Sequence, residues 1–463
     1  MLRARGARQG LVSLPLPAVA APDHVPCAPA SPYNPLCGYR RPLLPRLWPA
    51  CHESTMSTIR PFRALRPTPV NVDRIASVPY DVVNVEEARE MAAGNPLSFL
   101  HISRAEIDLP AGTDVYSDAV YAKALENFNR IRAAAPLVVE DEPALYFYRL
   151  RMGSHTQTGL VAGYSVDEYD GGLIKKHEKT RRDKEDDRTR HITTIRAQSG
   201  PVFLTYRASA AIDAVAARVT SGKPLFDITA PDGIQHVVWK VTGEDMKQVV
   251  AAFAALPFLY IADGHHRAAS AGRTRKDLAA KGIQSEEADW MLAVAFPDNQ
   301  TQILPYNRVV KDLAGHTPES FLAEVRKRFT VTDGPPVPPR KGFSSMYLAG
   351  KWHSVEFGRT GTPADGGSVI ANLDVSLLQD GLLAAVLNVG DPRTDKRIDF
   401  VGGIRGTAEL EKLVRTGEAA VAFSMFPVSV GELMDIADAG EIMPPKSTWF
   451  EPKLRDGMVC HNF

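Results

Sequence analysis

The chain has 463 residues, 44% of them hydrophobic and 23% charged, a composition that supports a sizeable core and excludes a disordered or collagenous chain. Lys+Arg and Asp+Glu both number 54, so the formal net charge is zero, which argues against a strongly basic nucleic-acid module and leaves only a local basic patch open. No stretch approaches the ~18 consecutive apolar residues of a spanning helix, and the four cysteines show no metal-ligand spacing. We therefore expect a soluble, cytoplasmic protein with no membrane contact.

Residues 1–55 differ from the rest. Ten of the 35 prolines lie there with Cys27, Cys37 and Cys51, and six arginines stand against two acids, Asp23 and Glu53. So much proline leaves no periodic apolar pattern. A targeting peptide, a disordered tail and a start placed too far upstream all fit. The third is favoured, with the functional chain opening at Met56.

From Met56 onward the pattern is mixed α/β (α+β). Asn84 and Glu87 resemble a capping box and Gly94 a stop, which predicts a helix over 85–93. Apolar groups at Val115, Ala119, Ala122, Leu125, Phe128 and Ile131 form a helical stripe over 115–134. Alternating runs at Leu145–Leu150 and Thr158–Val166, joined through Met152-Gly153-Ser154-His155, predict a hairpin. Phe258–Ala262 reads as a strand ending at Asp263-Gly264, with helix from Ala268 onward. Thr317-Pro318-Glu319 opens another helix. Residues 333–342 (DGPPVPPRKG), with four prolines, are the best linker in the chain. The expected organisation is an extension (1–55), a motif-bearing α/β region (56–332), this linker and a C-terminal α/β region (343–463).

Three constellations can carry chemistry. Lys175–His191 packs eight Lys/Arg, five Asp/Glu and two histidines into 17 residues. Spaced as a helix, Glu178, Arg181, Arg182 and Glu185 share a face, as do Arg181, Glu185 and Arg188. Such a face can hold phosphate oxygens and a divalent cation, although a solvated helix laced with ion pairs has the same composition. The second is Ile261–Ala269. An apolar strand, an Asp263-Gly264 turn and a helix start frame an anion, because free N–H groups and the helix dipole face it and Gly264 allows close approach. Arg267 can add a forked contact, and His265 or His266 can move a proton or hold a metal. The third is Met443–Lys453 (MPPKSTWFEPK), where Pro444 and Pro445 can aim Lys446 at a pocket. It is equally a segment that packs Trp449 and Phe450 on the core. The chain contains no GxGxxG turn, full P-loop, HExxH, CxxC or GxSxG.

These motifs, with VPYDVV (78–83), NPLSFLH (95–101), EID (106–108) and YNRVV (306–310), closely resemble blocks of the bacterial domain-of-unknown-function 1015 family over about residues 59–463. Asp-Gly-His-His-Arg-x-x-Ala is also similar to the nucleotide-binding signature of the ParB/sulfiredoxin superfamily. That group holds CTP-binding DNA clamps, sulfiredoxins and kinases of free L-serine. The resemblance implies a ParB/sulfiredoxin-like nucleotide-binding core and a small-molecule kinase, with free L-serine the best acceptor. Sulfiredoxin chemistry lacks its cysteine, since none lies between positions 52 and 459.

Phosphoryl transfer needs cationic positioning, a divalent metal and a base near the acceptor hydroxyl. On this reading Gly264, His265, His266 and Arg267 hold the nucleotide phosphates and Asp263 lies near Mg2+. Glu178 is the candidate base with His177 its partner, Glu106 is a second candidate base, and Arg181, Arg182 and Lys184 stabilise the transferred group. The partners expected are ATP (or ADP or CTP) and a small acceptor rather than nucleic acid. The alternative is a nucleotide-gated binding protein related to the clamps.

Overall fold

A computed structural model of the chain describes residues 57–135, 137–358 and 368–463. The expectation for residues 1–55 lies outside these. The described chain is mixed α/β and built on two large antiparallel-rich sheets. Among the described residues, no helix is long and apolar enough to cross a membrane.

The local signals fold much as their chemistry dictates. Asn84 caps the helix Val85–Ala92 in a reciprocal capping box with Glu87. The stripe becomes the helix Asp118–Ala134. The hairpin forms between Leu145–Met152 and His155–Ser165, turning at Gly153 with φ +58°. Pro318 opens the helix Pro318–Arg328 behind a Thr317 cap.

The hairpin sits inside a nine-stranded sheet whose alternating side chains feed two cores. Tyr146, Tyr148, Val161, Val294 and Phe296 face one side; Leu145, Phe147, Leu160, Ala293 and Ala295 face the other. A six-stranded sheet spanning Tyr306 to Met425 shares the first of these cores. Residues 333–342 run between Thr330–Asp333 and Phe343–Leu348, two strands of that same sheet. The prolines there serve a strand-to-strand connection inside one sheet, not a passage between two regions.

One feature of the nine-stranded sheet positions the site. Leu259–Asp263 pairs parallel with Ile174–Lys175 on one side and antiparallel with Val202–Tyr206 on the other. Parallel neighbours end at the same edge, so the chain after Lys175 and the chain after Asp263 emerge side by side. The segment 198–201, which leads into the antiparallel strand, reaches that edge too.

Candidate functional site

The edge where these three segments meet gathers most of the charged motifs. Asp263 ends its strand, Gly264 turns with φ +94°, and the helix His265–Ala280 begins without a side-chain cap. It starts three residues earlier than the sequence suggests, because the left-handed glycine itself redirects the chain. The charged run does not form one helix face. Its helix spans Arg182–Ile195, so Glu178 and Arg181 precede it. Long-range bonds override the local spacing there. The Arg181 amide donates to His266 Nε2 at 3.0 Å, and the His177 amide faces His265 Nε2 at 3.5 Å. This second helix start is also uncapped by any side chain. Two helix N-termini therefore converge; in the first turn of the second, the Asp183 carboxylate accepts backbone N–H groups, whereas the helix start at His265 has no acidic residue in its first turn.

Between them lies a neutral histidine pair. His177 and His265 meet edge to face with ring centroids 4.4 Å apart. Burial pushes His177 down to about 4 and His265 well below the ordinary imidazole range. His266 is lowered by burial as well, which suits its role as acceptor from the Arg181 amide. Glu178 lies 3.7 Å from His265 Nδ1 with its side chain 56% exposed. The surrounding protein still desolvates it and, with Asp263 nearby, raises its pKa against the pull of Lys446. A carboxylate that is accessible yet raised is suited to taking a proton.

The acid of the turn is committed elsewhere. Lys453 Nζ donates to Asp263 Oδ2 at 2.9 Å, and Arg267 lies 3.7 Å away. Burial opposes its charge, but Lys453 and Arg267 prevail and hold its pKa well below the carboxylate range. Among the described residues, no group of three His, Cys, Asp or Glu side chains is placed to hold a metal ion. Asp263, already neutralised, does not fit a metal ligand.

Arg267 is not presented as a free fork. It is buried, donates to the Pro201 carbonyl, and lies 3.8 Å from Asp81. Burial works against its charge, and the carboxylates of Asp81, Asp263 and Asp456 outweigh it. Its guanidinium packs under Gly264, where a Cβ would stand 2.9 Å from Cζ. Behind it lies a cavity of about 30 Å³ whose lining includes Ser103, Arg188, Arg267 and Asp456. Ser103 Oγ, Arg267 Nε and Asp456 Oδ1 are buried without a partner among the described residues. Burial raises Asp456 to about 7 despite Arg267.

The remaining sequence candidates scatter. Arg188 is paired with Asp187 and stacked 4.0 Å over the Tyr80 ring, on the cavity side. Arg181 is exposed and forks onto Asp183, while Arg182 is exposed and bonds to nothing among the described residues. Lys184 turns away to the Tyr116 hydroxyl at 2.9 Å. Glu106 is buried, pairs with Arg104 at 3.1 Å, and contacts none of the turn residues. It is removed from the site because its short 3-10 helix faces the helical cap around 85–134. Lys446 is exposed and 5.4 Å over the Tyr306 ring. The same C-terminal segment also packs Phe450 on the core, 5.4 Å from Phe203.

Sequence reasoning missed Lys453, Asp456 and Asp81. Lys453 closes the very block from which Lys446 was chosen, and Asp81 sits in the VPYDVV block. Asp456 had no local signal, because its surroundings come from Ser77, Gly200 and Arg267.

The family described as "Protein of unknown function (DUF1015)" matches residues 59–376. No curated protein matches the chain. Among solved structures, a free serine kinase in complex with AMP is similar over 64% of this chain and 92% of its own, at 15% identity and a TM-score of 0.31. A conserved hypothetical protein from Pyrococcus furiosus is similar over 65% and 94%, at 15% identity and a TM-score of 0.31. SbnI with a C-terminal truncation, from Staphylococcus aureus, is similar over 64% and 85%, at 13% identity and a TM-score of 0.31. Overlaps this loose leave the site's own geometry to carry the chemistry.

Proposed function

The chain belongs to the DUF1015 family, and we propose that it is a nucleotide-dependent phosphotransferase acting on the hydroxyl of a small molecule, with free L-serine the best acceptor. The observation that carries this reading is the convergence of two uncapped helix N-termini beside an accessible carboxylate of raised pKa. The start of His265–Ala280, with no side-chain cap and no acid in its first turn, and the two helix dipoles favour phosphate oxygens at that point. Exposed Arg182 and Lys446 add positive charge near the rim, while Arg181 is paired with Asp183. We read the strand–turn–helix Leu259–Ala280 as the nucleotide element of a ParB/sulfiredoxin-like core.

In this mechanism Glu178 takes the proton of the acceptor hydroxyl as its oxygen attacks the terminal phosphorus. The bond between that phosphorus and the bridging oxygen breaks, and the shortened nucleotide leaves. The buried His177–His265 pair stays neutral and orients Glu178, and Arg267 holds the turn instead of gripping phosphate. The cavity lined by Arg188, Arg267 and Asp456, about 30 Å³, has room for about one water molecule, so the acceptor in this reading lies outside it, beside Glu178. Magnesium enters this reading only as the counter-ion of the nucleotide, with no protein ligand assigned.

The test is a phosphotransfer screen with ATP, ADP and CTP, each with magnesium, against free amino acids and polyols. Phosphoserine formation supports the reading. Nucleotide binding without any phosphorylated acceptor returns the gated binding protein, and no nucleotide binding at millimolar concentration overturns both.

A further inference from the structure

On the face of the nine-stranded sheet that carries Phe147 and Tyr206 lies a second pocket, sharing no residue with the site above. It lies beneath the helix Ala210–Thr220, has a volume of about 170 Å³, and is lined among others by Arg149, Tyr206 and Asp213. We propose that this pocket binds a small monocarboxylate bearing a hydroxyl or ammonium group.

Arg149 is the anchor. Its Nε donates to Thr158 Oγ1 at 3.0 Å and one terminal nitrogen donates to Thr220 Oγ1 at 2.9 Å. Its guanidinium also lies 4.8 Å from the Trp239 ring. Two hydrogen bonds and a stacking surface hold the fork in one orientation. Yet among the described residues no carboxylate pairs with it, and burial lowers its pKa with nothing opposing. A half-buried cation fixed in place and left without a counter-ion costs stability unless an anion joins it.

Two further polar groups of the lining have no partner among the described residues. The Asp213 carboxyl makes no hydrogen bond or ion pair among the described residues, and burial alone raises its pKa. Asp213 lines the same pocket as Arg149, but the two do not pair, so the space between them is not closed by a salt bridge. Tyr206 is only 2% exposed, and its hydroxyl has no hydrogen-bond partner among the described residues. Phe147 and Ile212 supply apolar walls. A ligand carboxylate fits the free edge of Arg149, and a donor group on the same ligand fits Asp213 and Tyr206. An apolar cavity of about 150 Å³ holds a six-membered ring, so this pocket suits a molecule of comparable size.

Calorimetric titration of the full chain with L-lactate, glycerate, L-alanine, acetate and inorganic phosphate, all without nucleotide, tests the proposal independently of any kinase activity. We expect lactate, glycerate or alanine to bind more tightly than acetate or phosphate. Arg149→Met should weaken binding at least ~10-fold, the loss of one hydrogen bond to a charged group. Because Arg149 also stacks on Trp239, Arg149→Lys and Asp213→Asn serve as folded controls. Lys should retain part of the affinity, and Asn should abolish the preference over acetate. No binding of any probe at millimolar concentration overturns the proposal, as does acetate binding as tightly as lactate or an affinity indifferent to both Arg149→Lys and Asp213→Asn.

Discussion

Replacing Gly264 by alanine perturbs the turn at its tightest point. The residue sits at φ +94°, and its new Cβ would stand 2.9 Å from both Cζ and Nε of Arg267. A left-handed backbone costs an L-residue about 1–2 kcal/mol. The guanidinium must also give way, and it is held by Pro201 with Asp81 and Asp263 on either side. Losing one hydrogen bond from a charged group adds about 1.5–3 kcal/mol. The expected total is roughly 2.5–5 kcal/mol. Gly172 provides the comparison, since its φ is +83° but nothing lies within 4 Å of its would-be Cβ. Gly172→Ala should therefore cost only about 1–2 kcal/mol. Urea denaturation of both variants, with unchanged m-values, measures the difference. In an Arg267→Met background the cost of Gly264→Ala should fall to that of Gly172→Ala. Equal costs for the two glycine variants in the parent would refute the clash with Arg267.

Three further outcomes follow from the buried titratable groups and from Glu178. Burial depresses His177 and His191 to about 4, His236 to about 3, and His265 well below its ordinary value. The unfolded chain then binds more protons, so the stability these histidines contribute is full above pH ~6.5 and is lost as pH falls towards ~4, at up to roughly 4 kcal/mol per pH unit once the opposing proton of Asp456 is counted; stability that stays flat between pH 7 and 5 would contradict the neutral, buried histidines. Asp456, raised to about 7 by burial, has the opposite sign, its folded state keeping a proton that the unfolded chain releases from about pH 4 upward. Asp456→Asn should thus gain up to about 4 kcal/mol relative to the parent between pH 4 and pH 8, and a pH-independent difference in denaturation free energy would rule this out. Glu178→Gln should lower phosphotransfer at least ~100-fold and leave stability within ~0.5 kcal/mol, since the side chain is largely exposed. Parent-like turnover in that variant removes Glu178 as the base.

Local elements were legible in the residues themselves because their causes are local. Asn84 and Glu87 close a capping box, Thr317-Pro318 opens a helix, and the run to Asp263-Gly264 makes a strand and a turn. The concentration of charged and polar groups in Lys175–His191 and Asp263–Arg267 was equally visible, but their partners were not. Helical spacing placed Glu178 and Arg181 on a face with Glu185, whereas the Arg181 amide is drawn to His266, 85 positions away. Arg267 reads as a phosphate fork in sequence, yet its partners Pro201 and Asp81 come from segments far from it in the chain. Lys453 neutralises Asp263 across 190 positions. Residues 333–342 read as a break between regions because proline content reports backbone stiffness and says nothing of strand pairing. The parallel pairing of Ile174–Lys175 with Leu259–Asp263 brought the two motifs to one edge. Such pairing depends on contacts distant in sequence, and burial set by those contacts decides which charges are spent on holding the turn and which stay free to act.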